Sequence, residues 1–382
     1  VAADFTMDLS EYRREFPILQ NKIYLNTCSL GALSLRSREY VQTYLAQWDE
    51  YGASAWYSLW MNDIAAVRNT IAKILHADED EIAIGHSIST LLGTVASCFR
   101  FDERKKIVVT SLDFPTANYQ WIVKETLGAR TRVLHSPDGI HIPLEKFQEA
   151  IDDVTALVST SHVFFTSGQI QNIAAINTFA REHGAICIVD AYQSVGQVPV
   201  NVRDMGIDML VSGGLKWLLG GPGITFLYVR KDLASSLQPT SIGWFGVKNQ
   251  FEFSPEHIDL IENARRFETG TPSVAALAAL KGGLEIILEI GLDTIHNATK
   301  QITEELIERL QKAGFTLRIA PNSSERSAIV MVRHPDPASA VSALSKRSII
   351  VDYRRDCIRV SPYFYNTSED IETFVTALQE VS

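Results

Sequence analysis

The chain has 382 residues, 46% of them hydrophobic and 21% charged, a composition that excludes a disordered chain, a collagen-like repeat and a small disulfide-stapled scaffold. Thirty-five Lys and Arg against 45 Asp and Glu leave a net charge of −10, so the basic footprint of a nucleic-acid binder is missing and a small-molecule ligand is expected. The four cysteines, Cys28, Cys98, Cys187 and Cys357, lie far apart without a C-x-x-C pair, so neither a metal site nor a disulfide framework is expected.

The N-terminal segment, residues 1–20, is acidic and broken by charge, without the apolar centre of an export signal. With the separated thiols this reads as a cytoplasmic chain. Short apolar runs then alternate with amphipathic stretches, the order that builds a mostly parallel sheet covered by helices. The expected strands are EIAIG, KIVVTS, TRVLHS, ALVSTSHVFF, AICIVD, MLVSGG and ITFLYVR. Helices are expected over STLLGTVASCF, ANYQWIVKETLG and NIAAINTFAREHG, where apolar residues recur three and four apart. These elements predict a doubly wound α/β domain over residues 21–255. Between 209 and 229 the only charge is Lys216, but glycines 213, 214, 220, 221 and 223 with Pro222 cut the run into strand, turn and strand rather than a membrane span. Further on, a helical stretch from Ser273 towards Lys312, strands FTLRIA, AIVMVRH, IIVDYR and IRVSPYF, and a helix from Ser368 predict a smaller α+β domain over 256–382.

In open α/β sheets ligands bind at the carboxyl ends of the strands. Asp190 closes AICIVD, where a carboxylate leaving a buried strand needs a cation or hydrogen-bond donors, a need that capping a helix would also meet. Lys216, alone among apolar residues and glycines, reads as a desolvated amine suited to Schiff-base chemistry, the alternative being a lysine that reaches for the surface. In GHSISTLLGT, Ser87, Ser89 and Thr90 open a helix whose free amides form an anion site, although Ser and Thr cap helices generally. Neither G-x-G-x-x-G nor G-x-x-x-x-G-K-[ST] occurs, so no motif is present for a dinucleotide or a nucleoside triphosphate. An aldehyde for the lysine, a ring nitrogen for the acid and a phosphate for the helix describe one cofactor, pyridoxal 5′-phosphate.

The segments VDAYQSVGQVPVNV, VSGGLKWLLGGPGITFLYVR, RRFETGTPSV and IRVSPYFYNTSEDI, in this order and spacing, resemble the class V aminotransferases. These are pyridoxal-phosphate enzymes of fold type I that include cysteine desulfurases, kynureninases and isopenicillin N epimerase-like proteins, and the resemblance runs through nearly the whole chain. It implies that Lys216 forms the Schiff base and that Asp190 keeps the pyridine nitrogen protonated. It further implies Gln193 at the phenolic oxygen, Ser87 and the backbone of Ile88 at the phosphate with Ser212 nearby, and Phe114 stacked on the ring. Gly270 and Thr271 match a pair that reaches the phosphate of a neighbouring subunit, which implies a homodimer. Arg359 matches the arginine that pairs with the substrate carboxylate, and the LNTCSLGALS segment implies Asn26 and Ser29 near the substrate.

Two departures qualify the match. Gly213-Gly214-Leu215-Lys216 replaces the Ser-Gly-His-Lys of desulfurases, and Cys357 stands two residues before Arg359 on a short segment that looks more like the Asp-Phe-Arg stretch of kynureninases than a mobile sulfur-accepting loop. The expected reaction is a lyase-type β-elimination on a sulfur-containing or otherwise β-substituted amino acid. Transamination or epimerisation is the alternative within the family. A persulfide-forming desulfurase is disfavoured, and the presence of both Lys216 and Asp190 argues against a non-catalytic binding module.

Overall fold

Seven runs form one sheet; six are largely buried and have the near-continuous apolar character that two covered faces demand, while the edge run 130–134 is mostly accessible. The computed structural model describes residues 9–381, so the first eight residues of the N-terminal segment lie outside it. The strands are β1 (Ile23–Tyr24), β2 (Ile82–Gly85), β3 (Lys106–Thr110), β4 (Arg130–Leu134), β5 (Thr155–Ser161), β6 (Ile186–Asp190), β7 (Met209–Gly213), β8 (Thr225–Val229), β9 (Val330–Arg333), β10 (Ile349–Ile350), β11 (Asp352–Arg354) and β12 (Cys357–Val360). The large sheet runs in the order β2-β8-β7-β6-β5-β3-β4. β4, β3, β5, β6 and β7 are parallel, while β8 is antiparallel to both β7 and β2. This is the expected mostly parallel α/β sheet.

Alternation sorts the side chains of each strand onto opposite faces. Val108, Val158, Val189 and Leu210 join one apolar cluster, and Ile107, Leu157, Ile188 and Val211 the other. Helices Ile173–Glu182 and Val274–Ile290 supply apolar residues to the first cluster, and helices Ile88–Ala96 and Pro115–Ile122 to the second.

The smaller α+β part carries the antiparallel sheet β11-β12-β9, with helices Leu292–Lys312, Pro337–Lys346 and Ser368–Val381 packed on a third cluster. β1 pairs in parallel with β10, and Leu25 belongs to this third cluster, so the chain entering the molecule is fixed to its C-terminal part before it reaches the large sheet. Two expected strands differ. FTLRIA makes only a single bridge, Leu317 to Val332, so it lies along β9 without forming a strand. IIVDYR divides at buried Val351: Ile349–Ile350 pair with β1, and Asp352–Arg354 turn to pair with β12. Among the described residues no helix is long and apolar enough to cross a membrane.

Candidate active site

The carboxyl ends of β5, β6 and β7 open onto a cavity of about 440 Å³. Its wall is completed by the N-terminus of helix Ile88–Ala96, by residues 28–29 and by two arginines of the β11–β12 hairpin. Ser87, Ile88, Phe114, Asp190, Gln193, Lys216, Ser29 and Arg359, eight of the residues expected from the sequence, line this one space.

Asp190 is the first partly accessible residue after three fully buried ones on β6. Its Oδ1 accepts from the Tyr192 amide at 2.9 Å, while among the described residues Oδ2 has no donor. Burial raises its pKa above the ordinary aspartate value, against the Tyr192 amide and the Lys216 charge. A cationic N–H placed at Oδ2 would reverse that penalty.

Lys216 follows β7 in a tight loop, and its Nζ lies 4.5 Å from the centroid of the Tyr192 ring. Burial brings its pKa down to about 8, opposed by Cys28 and Asp190 and reinforced by the charges of Arg359 and Arg354. The amine therefore holds its neutral, nucleophilic form at a far lower pH than an exposed lysine does. Its loop is pinned from outside: the Gly31 amide donates to Leu215 O at 2.9 Å, and a Cβ on Gly31 would stand 2.2 Å from Lys216 O.

Ser87 caps helix Ile88–Ala96 from an extended backbone, its Oγ accepting from the Thr90 amide at 3.1 Å. The amides of Ile88 and Ser89 have no partner among the described residues and stand at the cavity with the positive end of the helix dipole. Thr225 stands in register between Gly85 and Gly213, lines the same cavity, and has a buried Oγ1 without a hydrogen-bond partner among the described residues. An orphaned hydroxyl beside free helix amides is a donor set made for an oxyanion. A free carboxylate oxygen, an unpaired amine and this anion cradle fit pyridoxal 5′-phosphate, ring nitrogen, aldehyde and phosphate in turn.

Phe114 rises at the rim, 48% exposed, with its ring edge-on to Phe165 at 5.2 Å. The buried Asp113 beside it accepts from the Thr110 amide and hydroxyl, the Ser161 amide and the Thr160 hydroxyl at 2.7–3.2 Å, which clips the Phe114 turn onto the end of β5. Gln193 donates from Nε2 to Cys28 O and accepts from the Trp217 indole at Oε1, both at 2.9 Å, so one amide proton remains for a ligand.

At the opposite wall Arg359, 2% exposed, donates from Nε and Nη2 to the two oxygens of Asp352 at 2.9 and 2.7 Å. Nη2 also donates to Ser29 Oγ at 2.7 Å, and Nη1 to Phe165 O at 3.2 Å. Ser29 Oγ in turn donates to Asp352 at 2.6 Å. The β11–β12 register, which sets Asp352 opposite Arg359, builds this pair.

Four expected residues lie elsewhere. Ser212 is buried and donates to Ala191 O at 3.1 Å. Asn26 bridges Ser361 through its backbone and accepts from the Cys28 thiol at 3.8 Å. Gly270 and Thr271 sit in an irregular segment outside the cavity lining. Conversely, sequence reasoning overlooked Tyr192, Thr225, Cys28, His86, Asp352 and Arg354. Tyr192 and Arg354 lie within VDAYQSVGQVPVNV and IIVDYR, but nothing in those segments shows that they face the lysine or the arginine.

The pattern of the family described as Aminotransferase class-V matches residues 35–374. The chain is 34% identical over 361 residues to the uncharacterized aminotransferase YcbU of Bacillus subtilis (strain 168), covering 94% of this chain and 95% of that protein. It is 29% identical over 392 residues to the kynureninase of Geobacillus thermodenitrificans (strain NG80-2), covering 98% and 91%. The cystine C-S lyase C-DES, solved with its product cysteine persulfide, shares the fold with a TM-score of 0.88 at 22% identity, covering 96% of this chain and all 100% of that one.

Proposed function

The chain belongs to the class V aminotransferases and is a pyridoxal 5′-phosphate enzyme, and we propose that it removes the Cα proton of an α-amino acid and expels a β-substituent, preferentially one bonded through sulfur. One observation supports the amino-acid chemistry on which this reading rests. The unpaired amine of Lys216 stands in a single cavity with the free oxygen of Asp190 and the guanidinium of Arg359, so one bound amino acid can meet all three. Bound there, the cofactor supplies an electrophilic aldehyde and a protonated ring that draws electrons from Cα.

The residues divide the remaining work. Lys216 Nζ would hold the aldehyde and, when not engaged there, would take the proton from Cα. Asp190 Oδ2 holds the proton on the ring nitrogen. Ser87, the amides of Ile88 and Ser89 and the orphaned Thr225 hydroxyl hold the phosphate, with Ser212 behind them supporting the strand end. Phe114 covers the ring face and excludes water, and the spare Gln193 proton reaches the phenolic oxygen. Arg359 takes the substrate carboxylate at its Nη atoms, close to Ser29, while Asn26 keeps the 26–29 turn in place. The β-substituent would leave with the electron pair of its bond; the Lys216 amine, returning to the aldehyde carbon, would displace the enamine, which water then hydrolyses to a keto acid and ammonia.

The active unit in this reading is a homodimer. Gly270 and Thr271 would complete the phosphate site of a second copy, and the surface beside them is apolar: Trp244, Phe251 and Phe253 are 40%, 49% and 69% exposed and in mutual ring contact. That cluster is tied to the segment by Gly243, where a Cβ would stand 1.3 Å from Thr269 O. Exposed apolar groups of this size mark interfaces. Persulfide formation on Cys357 is disfavoured by its full burial, by its thiol being pushed up to about 11, and by its position outside the cavity lining.

Transamination is the second reading, supported by the 34% identity to YcbU, which is named as an aminotransferase. Incubation of the holoenzyme with cysteine derivatives and other amino acids separates the two. Pyruvate and ammonia released without any added keto acid support elimination; turnover that requires an added keto acid contradicts it in favour of transamination.

A further inference from the structure

The carboxylate-binding wall contains its own anion. Asp352 receives two hydrogen bonds from Arg359 and one from Ser29, and Arg354 Nη2 stands 3.1 Å from its Oδ2. It cannot readily turn away, because it is fixed opposite Arg359 by strand register and shares β11 with Arg354, two residues on and so on the same face. The side-on fork of Arg359, its Nε and Nη2, is therefore already filled. An incoming carboxylate is left the Nη1–Nη2 end, where it replaces the Ser29 hydroxyl on Nη2 and competes with the Phe165 carbonyl on Nη1.

Charge counting at this wall gives two guanidinium groups against one carboxylate, so a single substrate carboxylate brings it to neutrality. On the reading above, Lys216 and Asp190 would be engaged by the aldehyde and the ring nitrogen of the cofactor, so neither is left to pair a further carboxylate. Much of the intervening lining is apolar, with Phe114, Phe165, Val163 and Leu215. A second substrate carboxylate would enter this space with no further Lys or Arg to pair it among the described residues lining the cavity, and with Asp352 behind the arginine repelling it.

We propose that Asp352 is a specificity-determining residue that restricts the enzyme to amino acids with uncharged side chains. The proposal rests on the reading of Arg359 as the α-carboxylate site, and it extends that reading from the reacting atoms to the substrate class. Asp352 does this in two ways: it holds Arg359 end-on to the cavity, and it uses up the charge that an acidic side chain would need.

The test is spectral titration of the holoenzyme with isosteric pairs, glutamine against glutamate and asparagine against aspartate, reading dissociation constants rather than turnover. The wild type should bind the neutral member of each pair at least about tenfold more tightly. Asp352→Asn, which keeps the shape and removes the charge, should narrow that ratio to about threefold or less, while Asp352→Glu should retain it. Equal binding within the pairs by the wild type, or a ratio unchanged in Asp352→Asn, would overturn the proposal. If Asp352→Asn does not fold, as judged by its thermal melt, Arg354→Gln replaces it. This variant removes a cation from a side chain that is 41% exposed and should widen the ratio; an unchanged ratio overturns the charge rule. A spectrum unmoved by every amino acid would instead contradict the α-amino-acid reading beneath the proposal, and the two failures are thereby told apart.

Discussion

At the scale of single residues the site depends on burying charges that find their partners only in the working complex. Lys216 is the clearest case, because its pKa falls from the ordinary 10.5 to about 8. Only the neutral amine attacks an aldehyde, and its fraction grows as pH rises through the folded pKa. Capture of pyridoxal phosphate by the apoprotein should therefore quicken with pH and level off above about 8; a rate still climbing towards 10.5 would contradict the desolvated amine. Arg359→Lys keeps a positive charge but loses the planar fork, so amino-acid affinity should fall about 10- to 100-fold with the cofactor still bound. Unchanged affinity in a spectral titration would place the carboxylate elsewhere. Lys216, Asp190 and Arg359 were legible because each interrupts or ends an apolar run, where a charge requires a reason. Asp352 was not, since nothing local shows that an aspartate seven residues before Arg359 will stand opposite it across a hairpin. The Thr225 hydroxyl is likewise orphaned only by its place between Gly85 and Gly213.

At the scale of elements, the strands of the large sheet other than the edge strand β4 were readable because both faces there are buried, which leaves continuous apolar runs bounded by glycine and polar turns. The C-terminal strands were less so. FTLRIA has the alternation of a strand but pairs with β9 at only one bridge, and IIVDYR serves two sheets at once by turning at Val351. Pairing partners, which periodicity does not encode, decide both. The loops that carry the chemistry are held by close backbone approach, and this gives two predictions. Gly31→Ala would force a methyl group onto the carbonyl of Lys216, backbone against backbone, and should lower stability by about 1–3 kcal/mol in denaturant unfolding. An unaltered midpoint would mean that the two loops separate freely. Ser87→Ala removes the cap of helix Ile88–Ala96 and should cost about 1 kcal/mol. The same variant should also lose much of the thermal stabilisation that inorganic phosphate confers on the apoprotein; stabilisation equal to that of the wild type would move the anion site away from this helix.

At the scale of the whole molecule, the cavity lies between the large sheet and the β11–β12 hairpin, with the 23–31 segment tied to both: β1 pairs with β10, and Gly31 leans on the Lys216 loop. The family and the α/β architecture were legible from the order of motifs along the chain; the crossing of residues 23–25 to the C-terminal cluster was not, because only long-range pairing reveals it. If Thr271 serves the phosphate of a second copy, mixed subunits of Lys216→Ala and Thr271→Ala should retain cofactor more tightly than either variant alone, since each mixed dimer then contains one intact site. Retention equal to the average of the two would contradict a shared site. The most direct measurement is borohydride reduction of the cofactor-loaded protein followed by peptide mass mapping. The expected result is a pyridoxyl phosphate label on Lys216 alone; a label on another lysine, or none, would contradict the Schiff-base assignment.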